Sequence, residues 1–168
     1  MRKGTHVALT LSARKKMLLD VHKRRKIEAC GLLIGTMDSE SSWFVEEAYP
    51  MRNIFDSPVY FEFAPEDLLV ADMTYPNRII GAYHSHPTGL ARASMTDKKN
   101  MQRVNVEQNI PWVWFIISGS FDSIPTFLDE QAPTTSLPAG IRLVAYHHYK
   151  QEGLQFIDVR FEEQEKPR

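Results

Sequence analysis

The sequence predicts a mixed α and β fold, one domain built on a single sheet with few helices. Three observations lead there. Apolar and β-branched runs recur at residues 7–11, 30–34, 43–49, 79–84, 112–118, 141–148 and 154–161, and turn formers or charged residues separate them. Only three stretches carry helix start signals, so strands outnumber helices. The chain has 168 residues, the size of one domain, and can bury a core without a disulfide or structural metal.

Each element follows in order. Residues 7–11 make a plausible first strand, after which Ser12 can cap a helix running to about Lys26, with Met17, Leu18 and Val21 near helical spacing. Residues 30–34, with Gly31 and Gly35 at either end, read as a buried strand, and 43–49 as a second, more exposed one. Residues 50–58 form a loop, 60–63 are β-prone, and Pro65 with Glu66 opens a helix to about Met73. Residues 79–84 are β-rich and end on His-Ser-His-Pro. Ser94 starts a polar helix to about Glu107, and 112–118 read as a central strand. Residues 126–128, 141–148 and 154–161 complete the β content, with a Pro- and Thr-rich loop over 130–140 and a charged tail over 162–168. The domain is therefore expected over residues 1–161.

Charge and cysteine content narrow the function. Twenty Lys and Arg balance 21 Asp and Glu, a net charge of −1, which gives no electrostatic footprint for nucleic acid or a membrane surface. The basic runs at 14–16 and 23–26 fall on one predicted helix and read as its solvated face. The single cysteine, Cys30, excludes an intrachain disulfide and fits a reducing compartment. The apolar stretch near the N-terminus is too short for a signal peptide, and the longest apolar run, 112–117, is too short to span a bilayer. The expected location is the cytoplasm.

The stretch that carries chemistry is His84-Ser85-His86-Pro87, followed by Ser94 and Asp97: His-x-His, seven residues, Ser-x-x-Asp. Histidines at i and i+2 on a strand end share a face, so both imidazoles can meet one ion. A helix starting near Ser94 brings Asp97, in its first turn, toward the same point. Two ring nitrogens and one carboxylate oxygen suit Zn²⁺, and three protein ligands leave the fourth position open, as in catalytic sites. Zinc lowers the pKa of a coordinated water to about 7. A base must still take that proton and return it to the leaving group, a task for a carboxylate elsewhere in the chain. Glu28 stands immediately before the buried 30–34 strand. Taken singly, each of these residues has an ordinary explanation: a hydrogen-bonded histidine, a helix cap with an acid in the first turn, a surface acid. Their joint spacing separates them from that background.

These residues resemble the JAMM (MPN+) metallopeptidases, the JAB/MPN domain proteins. Their motif is an upstream Glu, then His-x-His-Pro, then Ser-x-x-Asp, matched here by Glu28, His84, His86, Pro87, Ser94 and Asp97. Glu28 also precedes a Gly-Leu-Leu-x-Gly strand, here Gly31 to Gly35. The resemblance spans residues 7 to about 120 and is strongest to small stand-alone prokaryotic members. It implies a cytidine-deaminase-like α/β/α sandwich with a mixed sheet, zinc held by His84, His86 and Asp97, Glu28 as catalytic base, and Ser94 stabilising the oxyanion. The one departure is Ala93, where many relatives have Pro, expected to loosen the loop 88–93.

The resemblance further implies cleavage after the C-terminal diglycine of ubiquitin or a ubiquitin-like modifier. The partner is then a ubiquitin-like or sulfur-carrier protein with a diglycine tail, docked as an added strand near 43–49 and the loop after it. Two other readings stay open: removal of an adduct from a sulfur carrier, and a non-catalytic MPN scaffold. The loops at 53–58 and 130–140 are candidate substrate contacts. A cysteine-peptidase reading fails because Cys30 lies inside an apolar strand. Nucleoside deamination fails because it needs a Pro-Cys-x-x-Cys pair. Should Glu28 not be the base, Glu46 and Glu47 on the next strand are the nearest substitutes.

Overall fold

The computed structural model describes residues 4–124 and 137–162. The elements are β1 (His6–Leu9), α1 (Leu11–Lys23), β2 (Cys30–Met37), β3 (Trp43–Met51), α2 (Pro65–Thr74), β4 (Ile79–His86), α3 (Met95–Gln102), β5 (Val113–Gly119), β6 (Ile141–Tyr149) and β7 (Gly153–Phe161). The strand expected at 126–128, most of the 130–140 loop and the tail beyond 162 lie outside the described residues. Among the described residues no helix is long and apolar enough to cross a membrane.

One mixed sheet runs β1-β3-β2-β4-β5-β6-β7 and closes when β7 pairs with β1. The β4–β5, β1–β3 and β1–β7 pairs are parallel and the others antiparallel. Alternation along the strands sorts the core into two faces. Val7, Leu33, Val45, Tyr83, Phe115, Ala145 and Ile157, one or more from every strand, join Ala13, Met17, Leu18 and Val21 of α1. On the opposite face, Ala82, Trp114, Ile116 and Tyr146 meet Met101 of α3 and Val104, while Leu32, Ile34 and Met51 meet Ala71 of α2.

Helices thus cover both faces of one mixed sheet, as an α/β/α arrangement requires, and the sheet closes into a barrel, which the expectation of an α/β/α sandwich did not include. The cause is β1, four residues that bridge β3 on one side and β7 on the other. Closure also removes most of the edge expected at 43–49. Residues 43–45 pair with β1, and Thr10 then donates its N–H to the carbonyl of Val45 and its hydroxyl to that of Glu46.

Four local expectations change. Thr10, not Ser12, caps α1, its Oγ1 accepting the N–H of Ala13 at 3.1 Å, and the helix ends at Lys23. Arg14 is buried, not on a solvated face, with its guanidinium over the Phe161 ring at 5.4 Å. Residues 60–63 form no strand. The third helix passes at Arg103–Glu107 into a π-helical turn. That turn directs Asn105 inward, where its amide donates to the carbonyls of Ile110 and Trp112 and accepts from the Trp114 indole.

Candidate metal centre

Register places the site. In the β2–β4 ladder Cys30 pairs with His84, the end pair of that ladder. His84 and His86 share one sheet face by parity, and Glu28 stands on the segment that leads into β2, two residues before Cys30. Ser85, between the histidines, ties the approach to β2: its Oγ accepts the Ala29 N–H and its own N–H donates to the Ala29 carbonyl, both at 2.9 Å. Gly31 is needed beside this point, because any Cβ there would strike the Tyr83 ring and the Tyr49 carbonyl. The Tyr83 hydroxyl is committed to Asp20 at 2.7 Å, and Arg24 pairs with the same carboxylate while bonding the carbonyls of Cys30 and Met51.

The fourth residue arrives on α3. Ser94 caps this helix through a reciprocal box: its Oγ accepts the Asp97 N–H at 3.0 Å, and its N–H donates to Asp97 Oδ2 at 2.9 Å. The box turns the Asp97 carboxylate toward the histidines, with Oδ1 3.1 Å from His84 Nε2 and Oδ2 3.1 Å from His86 Nε2. The two Nε2 atoms are 3.2 Å apart. Glu28 Oε1 lies further out, 4.0 Å from His84 Nε2. The donor atoms of Glu28, His84 and His86 all fall within 4.8 Å of one another.

This arrangement fits a metal ion. Ligand atoms at 2.0–2.2 Å around one tetrahedral ion stand roughly 3.3 Å apart, close to the spacing found here. His86 Nδ1 lies 2.8 Å from the Leu90 carbonyl, the kind of second bond by which a metal-ligating histidine is oriented with Nε2 towards the site. His84 Nδ1, buried, has no hydrogen-bond partner among the described residues, and the ring is held instead by Phe61, stacked at 4.5 Å.

The two carboxyls have opposite tendencies. Burial pushes Glu28 up to about 7, with the Asp97 charge adding and His86 opposing. Burial also acts on Asp97, but hydrogen bonds from His84 and His86 and from the Ser94 N–H hold its carboxyl well below the usual range. Burial lowers His84, against the pull of Asp97, and so favours the neutral imidazole that ligation requires.

All five residues singled out in the sequence, Glu28, His84, His86, Ser94 and Asp97, come together. Glu46 and Glu47 do not join them: Glu46 pairs with Arg78, and Glu47 with Lys16 and the Tyr75 hydroxyl. Ala93, where many relatives have Pro, ties its loop to β6. Its N–H, which a proline would lack, donates to the Tyr146 hydroxyl at 3.2 Å. Asn53, Phe61, Ser85 and Tyr146 were not singled out individually, since each acts through a contact distant in sequence that no local pattern reveals.

The family model for prokaryotic homologs of the JAB domain matches residues 10–131. The chain belongs to this family. The family includes zinc metallopeptidases as well as non-catalytic members. No curated protein matches the chain. Among solved structures, protein DSY2949 of Desulfitobacterium hafniense is 25% identical with a TM-score of 0.68, over 94% of each chain. A protein of Salinibacter ruber is 19% identical with a TM-score of 0.56, over 90% of this chain and 89% of its own, and supports the fold alone.

Proposed function

We propose that this JAB-domain protein is a zinc-dependent metallopeptidase that hydrolyses the amide after the C-terminal diglycine of a ubiquitin-like modifier, in deconjugation or precursor processing. Its place in this reading is the cytoplasm, where a single free thiol persists, and its finer fold assignment is cytidine-deaminase-like. The observation that carries the proposal is the convergence of His84 Nε2, His86 Nε2 and the Asp97 carboxylate at 3.1–3.2 Å, with the Glu28 carboxylate 4.0 Å from His84 Nε2.

His84, His86 and Asp97 would hold the metal. Zinc in such a set supplies a Lewis acid that polarises a carbonyl and lowers the pKa of water to about 7. Glu28 takes the proton of the attacking water and delivers it to the leaving amine. A buried carboxylate with no hydrogen bond on its oxygens among the described residues is placed for both halves of that task. Ser94 Oγ spends its lone pair on the Asp97 N–H, so its own O–H is available to donate to the oxyanion of the scissile carbonyl.

The test combines metal content with turnover. Protein purified without chelator should carry about one zinc per chain, and His84→Ala and Asp97→Ala should lose it. Glu28→Gln should keep zinc while cleavage of a diglycine-tailed modifier carrying an amide-linked reporter falls by about 10²–10⁴-fold. Wild type as metal-free as the variants sinks the metal site. Full turnover in zinc-loaded Glu28→Gln sinks the base.

A further inference from the structure

Glu28 sits outside the ladder that carries the histidines. Strand β2 begins at Cys30, and Ser85 grips only Ala29. Both backbone groups of Glu28 are held instead by the 53–62 loop. Its N–H donates to the Ser57 carbonyl at 2.8 Å, and its carbonyl accepts from the Asn53 amide at 3.0 Å. Asn53 is only 1% exposed and uses every position of its side chain. Nδ2 donates to the carbonyls of Glu28 and Tyr60 (2.8 Å), and Oδ1 accepts the N–H groups of Phe55 (3.1 Å) and Glu62 (3.4 Å). The partners are two carbonyls and two N–H groups, so the amide can face only one way. One bond is an Asx-turn that starts the loop, and the pair to Tyr60 and Glu62 closes it. The bond to Glu28 runs 25 residues back along the chain and adds nothing to the loop's own closure.

We propose that Asn53 is a positioning residue for the reaction: it sets the backbone of Glu28, and through it the direction of the carboxylate relative to His84 and His86. This rests on the reading of Glu28 as the base. The loop that Asn53 closes also lays Phe61 on the His84 ring, so one segment braces both the base and a ligand. A reacting group displaced by about 1 Å costs on the order of 10²-fold in rate, which is the effect expected when the tether is cut.

Two variants test the tether. Asn53→Asp keeps the Oδ1 acceptor for Phe55 and Glu62 but removes both donors, and Asn53→Ala removes everything without adding charge. Both should fold and bind about one zinc. In metal-free protein the Glu28 amide, whose acceptor Ser57 lies on the loop that Asn53 closes, should exchange with solvent more than about tenfold faster. In zinc-loaded protein kcat on the diglycine-tailed reporter should fall about 10²-fold with KM within about twofold. In a Glu28→Gln background the same changes at Asn53 should cost nothing further, because the group they position is already lost.

Unchanged kcat, an equal loss in both backgrounds, loss of zinc in step with activity, or failure of both variants to fold would each overturn the proposal. Glu28→Gln alone, at full activity, refutes the base reading independently. In that case the exchange measurement still reports whether Asn53 holds its loop against Glu28.

Discussion

Tyr146→Phe examines the loop that joins the histidine strand to α3. The substitution removes one oxygen and leaves the ring against Phe156, whose centroid is 4.7 Å away. Both partners of the lost bond are buried: Tyr146 is 4% exposed and Ala93 6%. The Ala93 N–H, at 3.2 Å from the hydroxyl in the native protein, is then left without an acceptor. Stranding a buried N–H costs about 1–3 kcal/mol. For a chain of this size each kcal/mol lowers Tm by about 2–4 °C. Thermal unfolding should therefore show a drop of several degrees. Ala93→Pro provides the control, since it deletes the N–H itself. Combined with Tyr146→Phe it should cost clearly less than the sum of the single changes, with a coupling of about 0.5–3 kcal/mol. A Tm unmoved by Tyr146→Phe, or strict additivity of the pair, would refute the claim that this bond ties the loop.

Two further outcomes follow from the site. Ser94→Ala loses the Asp97 N–H acceptor and should cost roughly 0.5–2 kcal/mol of stability, read by denaturant unfolding. If Ser94 also serves the oxyanion, kcat of the zinc-loaded variant drops by about 10²–10³-fold, and an unchanged kcat confines it to capping. Cys30 is fully buried and its thiol is pushed up to about 12, by burial first, with Arg24 opposing. Native protein at pH 8 should then resist thiol reagents until it unfolds. The unfolded thiol releases its proton near its ordinary pKa of about 8.5 and the folded one does not. Cys30 therefore subtracts stability as pH rises from about 8.5 toward 12, which denaturant titrations across that range would register. Rapid modification of the folded protein would contradict its burial.

Much of the site was legible because its chemistry is carried by local spacing. His84 and His86 share a face by strand parity, and Ser94 with Asp97 forms a capping box within one turn, so both halves follow from sequence alone. What was hidden depends on contacts distant in sequence. Thr10 and Ser12 are both adequate caps, and the choice falls on Thr10 because its hydroxyl also reaches the carbonyl of Glu46. Residues 60–63 are rich in aromatics but form no strand, and Phe61 goes to His84 instead. Closure of the sheet joins its first and last strands, residues 6–9 with 158–161, a pairing that no local pattern encodes. Asn53 reads as an ordinary turn former, and its bond to Glu28 becomes visible only once the loop is folded back.

The division of labour between the two carboxylates also emerges only in three dimensions. Glu28 and Asp97 are almost equally buried, at 4% and 6% exposure. Burial by itself would raise both and leave two interchangeable acids. Asp97 escapes because three donors converge on it: the two imidazoles and the Ser94 N–H. Among the described residues no hydrogen bond reaches the Glu28 carboxylate, whose restraint comes entirely through its backbone. One acid is thereby kept ionised and suited to hold a cation, while burial raises the other in the metal-free protein and leaves its oxygens uncommitted. A group that must move a proton gains from being fixed at its main chain while its oxygens stay uncommitted. Under the proposed function this suits Glu28 to the role of base and Asp97 to that of ligand. It also explains why the anchoring bonds from Asn53 and Ser57 fall on the peptide groups of Glu28 and not on its side chain.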